Sequence, residues 1–288
     1  MPRARSTRST VARVSRVSAL NGDVVIVADV EGDGPTVLLL HGWPDTAAVW
    51  DEVGPRLVAA GYRIVTPDLR GCGRSTKPTN VADYRMHLLV GDVAALIDEV
   101  GGPVALVGHD WGAGLAWAVA AYLPQRVSHL VVLSVGHPTA FRSGGIEQQQ
   151  RSWYTLLFSY EGLGEAFLRH HDYEAMRRWL RHPRVEPVIA ELERDGQMRT
   201  HLLWYRANLA PDAFVTDPPV LPAIQAPTLG VWSSGDFALT ERQMIDSAQY
   251  CENGFTYRRL EGVGHWTPLD APDEIAMSID DFLRSTVM

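Results

Sequence analysis

Residues 107–114 read VGHDWGAG. The apolar stretch PVAL precedes them and LAWAVAAYL follows, so the octet falls where a buried strand turns into a buried helix. Gly108 and Gly112 stand two positions either side of Asp110. This small-x-nucleophile-x-small form is that of a nucleophile elbow, a strained turn that lifts one side chain above a strand end and leaves no room for bulk beside it. An aspartate occupies the place where a serine would be expected. The competing reading is a tight strand-to-helix turn with an exposed Asp as helix cap.

Outward from the elbow, short apolar strands alternate with helices. Before it come strands in VARVSRVSAL, DVVIVADV and TVLLLHG, a helix near residues 46–60, the strand YRIVTPD and the amphipathic helix MHLLVGDVAALIDEV. After it come the strand HLVVLSV and, much later, the strands PTLGVWSSGD and FTYRRLEGVG and a last helix from about Pro272. Such alternation implies a mostly parallel sheet with helices on both faces. Residues 16–137 and 217–288 are therefore expected to form an α/β core. Residues 138–216 are rich in Trp, Tyr, Arg and His and show no strand, which reads as a helical cap inserted over the C-terminal strand edge, where open α/β sheets bind ligands.

Composition narrows the function classes. The 288 residues are 46% hydrophobic and 21% charged, ordinary for a globular protein. A net charge of −8 argues against nucleic acid as a partner, and Lys77 is the only lysine. No apolar run approaches the roughly 18 residues of a membrane span. Residues 1–15 carry Arg3, Arg5, Arg8 and Arg13 with no acid and read as a basic, frayed tail. Cys72 and Cys251 offer neither a disulfide framework nor metal spacing, and are expected as free thiols in a reducing cytoplasm.

Partners for Asp110 are sought at other strand ends. HGWPD (41–45) ends the third strand, where the backbone N–H groups of Trp43 and Trp111 could point into one oxyanion hole. Among ten histidines, His41 belongs to that loop and His109 points away from its neighbour, while His170, His171, His182 and His201 fall in the expected cap and read as polar surface. His265, in EGVGHWTPLD between the last strand and last helix, follows the nucleophile in chain order as a hydrolase base does. Asp236, directly after the seventh strand, is the carboxylate placed to orient it. No His, Cys or carboxylate cluster has usable metal spacing.

With these residues in place, the chain resembles an epoxide hydrolase of the α/β-hydrolase superfamily. HGWPD, PDLRGCGRS, GHDWGA, WYRANL and GHWTPLDAP match that family's pattern in order across nearly the whole chain after the tail. The resemblance implies the α/β-hydrolase fold with an inserted cap, no cofactor and no metal, and a small epoxide and water as the reacting partners. It also implies two cap tyrosines that hold the epoxide oxygen. Tyr205 in LWYRANL matches one; the other is Tyr154, with Tyr160 close enough to compete. Trp43, Trp111, Trp153, Leu157, Trp204, Phe237 and Trp266 are expected to line an apolar, aromatic-friendly substrate site. Monomer and homodimer both remain open.

The aspartate then has a chemical reason. A serine alkylated by an epoxide becomes an ether, which activated water cannot cleave, whereas an aspartate becomes an ester, which it can. An aspartate is also ionised near neutral pH and needs no base for the first step. Haloalkane dehalogenases share the Asp elbow and the ester, and the Trp111 indole could bind halide; many, however, have Asn where Trp43 stands and need no tyrosine pair. A non-catalytic ligand-binding protein on this scaffold would be expected to lack one of Asp110, Asp236 and His265.

Overall fold

The computed structural model describes residues 14–285. Among them, one sheet contains β1 (Ser15–Asn21), β2 (Val24–Glu31), β3 (Thr36–Leu40), β4 (Arg63–Asp68), β5 (Val104–His109), β6 (Val127–Leu133), β7 (Thr228–Ser233) and β8 (Phe255–Leu260). The spatial order is β1-β2-β4-β3-β5-β6-β7-β8. Only β2 runs against its neighbours; the pairings from β4 through β8 are all parallel. Ser15 already opens β1, so the tail expected over 1–15 overlaps the first strand, and residues 1–13 lie outside the described residues.

The core helices are α1 (Val53–Ala59), α2 (Met86–Val100) and α3 (Trp111–Tyr122). Between β6 and β7 come α4 (Pro138–Arg142), α5 (Gly145–Arg151), α6 (Tyr154–Ser159), α7 (Leu163–Glu174), α8 (Val185–Glu193) and α9 (Gln197–Asn208), with no strand among them. The chain ends with α10 (Glu241–Ile245), α11 (Thr267–Asp270) and α12 (Pro272–Ser285). None of the helices among the described residues is long and apolar enough to cross a membrane.

Side-chain alternation explains the two layers. Leu38 and Leu40 of β3 join Leu106, Leu130 and Val132 under α2 and α3. Val37 and Leu39 face the other way, with Ala105, Val107 and Val131, under α1 and α12. The helix expected over 46–60 is two pieces, a turn of 3-10 helix at Ala47–Trp50 and then α1. Pro55 is the reason: it has no N–H to give the Asp51 carbonyl, so one continuous helix would lose a bond there.

The helices after β6 are fastened to the core by polar anchors. Trp204 donates its indole N–H to the Arg70 carbonyl at 3.0 Å, Thr200 its hydroxyl to Gly71 O at 2.6 Å, and Asn208 its amide to Tyr84 O at 2.9 Å. Arg70 is itself fixed, its buried guanidinium forked onto Asp92 at 2.7 and 2.5 Å. A buried pair of this kind costs several kcal/mol to break by removing one partner. These bonds set where α9 lies, and therefore where Tyr205 points.

Candidate active site

Parallel strands bring their C-terminal ends to one edge, and four loops from that edge make the site. Asp110 follows β5 at φ 52°, ψ −120°, a left-handed conformation that a non-glycine residue holds only under strain. The flanking glycines permit it. A Cβ on Gly108 would run into the Gly112 backbone, and one on Gly112 would run into the Leu40 carbonyl. The turn packs against the loop after β3, from which the Trp43 N–H donates to Asp110 Oδ1 at 2.8 Å. Trp111 opens α3 directly after Asp110, and its N–H is among the first-turn donors that have no partner within the helix. His41, at the head of the same loop, is held between Gly42 O at 3.0 Å and the Leu69 N–H at 2.9 Å, so it serves the loop's shape.

His265 lies between two carboxylates. Its Nδ1 is 2.8 Å from Asp236 Oδ2, and its Nε2 is 3.7 Å from Asp110 Oδ2. Asp236 Oδ1 accepts the N–H groups of Ala238 and Leu239, both at 2.9 Å, which fixes the carboxylate. The Asp236 bond therefore orients the ring, with Nδ1–H donating and Nε2 turned toward Asp110. Burial works against an imidazolium here, but Asp236 and Asp110 outweigh it and hold the His265 pKa up at about 10. Neighbouring His109 is a support: its Nε2 donates to the His265 carbonyl at 2.9 Å, and burial drops its own pKa to about 4.

Above Asp110, Tyr154 from α6 and Tyr205 from α9 line the same cavity, which has a volume of about 350 Å³. Their ring centroids are 6.2 Å apart. Burial is the main cause that pushes both phenols up, with the Asp110 charge adding to it, so both remain protonated donors. Tyr160, the rival position, is 55% exposed and does not line the cavity.

The expected aromatic lining fares differently. Of the seven residues, only Trp111 faces this cavity. Trp153 and Phe237 line a separate opening of about 510 Å³. Trp43 and Trp204 border a void of about 10 Å³, and Leu157 and Trp266 line none of the principal cavities. For two of them the physical reason is hydrogen bonding: the Trp204 indole is spent on Arg70 O at 3.0 Å, and the Trp266 indole on Asp45 Oδ2 at 3.1 Å. His182 and His201, expected on the surface, are buried, and His182 Nε2 meets Asp45 Oδ1 at 3.1 Å. Asp45 thus ties the loop after α7 to the residue beside His265.

Sequence reading missed Gln148 and Arg151 of α5. Gln148 binds Ala238 O and the Thr240 N–H, each at 2.9 Å, and Arg151 binds Asp236 O and Leu239 O, each at 2.9 Å. Together they clamp the loop that carries Asp236. Their three-residue spacing on one helix was the available signal. Among the described residues, no group of three or more His, Cys, Asp or Glu is placed to hold a metal ion.

Residues 35–272 match the family model described as the alpha/beta hydrolase fold. Epoxide hydrolase 3 of Xenopus tropicalis is 31% identical over 280 residues, covering 90% of this chain and 74% of that protein. Epoxide hydrolase A of Mycobacterium tuberculosis is 28% identical over 90% of this chain and 93% of its own length. The crystal structure of Epoxide Hydrolase A from Mycobacterium thermoresistibile superposes with a TM-score of 0.77 at 26% identity, covering 94% of this chain and 98% of that one. The chain belongs to the epoxide hydrolases of the alpha/beta hydrolase superfamily.

Proposed function

We propose that the protein opens an epoxide to a vicinal diol through an ester on Asp110, with residues 138–216 acting as the cap. A carboxylate oxygen of Asp110 attacks a ring carbon. The carbon–oxygen bond of the ring breaks, and the departing oxygen takes a proton from the Tyr154–Tyr205 pair. Water, giving its proton to His265 Nε2, then attacks the ester carbonyl carbon. The N–H groups of Trp43 and Trp111 receive the oxyanion. Its collapse breaks the ester bond to the diol oxygen, which leaves with the hydroxyl proton of the tetrahedral carbon. The proton on His265 returns to the phenolate, so that diol, Asp110 carboxylate and both phenols are restored. The two free thiols, Cys72 and Cys251, suit a reducing cytoplasm.

The observation that carries this reading is the pair of buried, protonated phenols facing the cavity that contains Asp110. A departing halide needs no proton, whereas a departing alkoxide does. The epoxide reading is tested by incubation with styrene oxide and with a haloalkane of similar size. Diol from the first and slow or absent halide release from the second supports it; the reverse preference contradicts it. Tyr205→Phe and Tyr154→Phe are each expected to slow ring opening by about 10²-fold, and the double variant by far more than either. Stopped-flow alkylation rates check this, and an unaffected double variant would contradict it.

The charge arrangement also predicts a pH dependence. In the resting site, His265 is an imidazolium held by two carboxylates. Ester formation removes the charge of Asp110, so the His265 pKa falls below its resting value of about 10 and the ring becomes a usable base. A protonated ring cannot accept a proton, so ester hydrolysis should speed up as pH rises through that lowered pKa. Alkylation should stay flat between about pH 6 and 9. Single-turnover rates of the two half-reactions check this, and a shared midpoint near the resting value would contradict it.

A further inference from the structure

The cavity extends well beyond the reacting groups. Along α3 it touches Trp111, Gly114, Ala118 and Tyr122, positions three or four residues apart and so on one helix face. At about 1.5 Å of rise per residue, this face carries the cavity for about 16 Å. It runs from the buried turn at Asp110 to Tyr122, which is 55% exposed. The rest of α3 is packed, with Gly112, Ala113 and residues 115–117 and 119–121 buried. Val135, Phe141, Leu209 and Leu221 are among the residues facing it from other elements.

Gly114 needs no glycine for its own sake. It sits inside a helix, and a Cβ built on it would meet nothing within 4 Å. Glycine inside a helix lowers stability relative to alanine, so neither packing nor backbone geometry favours it here. What the missing side chain leaves is open lumen about one helical turn from Asp110.

We infer that Gly114 and Ala118 determine the shape of the substrate: they open a channel for a linear apolar chain carried by the epoxide. The ring then sits between Asp110 and the two tyrosines, and the chain runs along α3 toward Tyr122. This rests on the epoxide reading for the ring, while the channel can be measured separately from the chemistry.

The experiment compares the terminal epoxides of decane and butane with wild type, Gly114→Ala and Gly114→Leu, and measures binding of decane diol by calorimetry. Each methylene taken out of water is worth about a fourfold gain in affinity. Wild type should therefore favour the decane epoxide in kcat/KM. Gly114→Leu, which fills the lumen, should lower the decane-to-butane ratio and the affinity for decane diol by at least about tenfold. Gly114→Ala should lower both about twofold to fourfold with Tm at or above wild type, which keeps the test decisive if the leucine variant does not fold. An unchanged ratio and unchanged diol affinity in the substituted proteins would overturn the channel. Diol binding that weakens as expected, without turnover of either epoxide by wild type, would uphold the channel and overturn the epoxide reading.

Discussion

Asp110→Asn is expected to lower turnover by at least about 10⁴-fold while the protein stays folded. The amide nitrogen is not a nucleophile toward carbon, and among the described residues no second carboxylate faces the cavity near the tyrosines. The change is nearly isosteric, so the side-chain oxygen can still accept the Trp43 N–H now bound by Asp110 Oδ1. Loss of activity with unchanged circular dichroism and retained diol binding would therefore reflect chemistry. Slow deamidation should restore activity with time, and Asp110→Ala, which cannot deamidate, should stay silent. Full activity in fresh Asp110→Ala would show that another residue is the nucleophile.

His265→Gln is expected to separate the half-reactions. The imidazole acts only after the ester exists, so one equivalent of epoxide should be consumed and then turnover should fall by about 10⁴-fold. Intact mass should rise by one substrate, with the added mass on the peptide containing Asp110. Glutamine can still hydrogen-bond to Asp236, which limits collapse of the loop, but it cannot accept a proton from water. Steady turnover without an adduct would assign the base to another residue.

The elbow was legible because its requirement is steric and local: a left-handed Asp110 tolerates only small residues at 108 and 112. The strand ends bearing Trp43, Asp236 and His265 were legible because alternating strands and helices imply that parallel strands share one edge. The cavity lining was not. A tryptophan in the sequence says nothing about where its indole N–H will find an acceptor, and Trp204 and Trp266 found theirs in Arg70 and Asp45. The cavity wall along α3 includes Gly114, whose missing side chain leaves a sequence pattern nothing to register. Buried His182 was hidden for a related reason, since its partner Asp45 lies 137 positions away in the chain.

The covalent ester is the central claim, and a single turnover in water enriched in oxygen-18 tests it most directly, with enzyme in excess over epoxide. If Asp110 attacks the ring, the new diol oxygen comes from its carboxylate: the first diol released should be unlabelled, and the label should appear in the Asp110 peptide. If water attacks the ring directly, the first diol should carry the label and the peptide should not, and that result would contradict the ester mechanism.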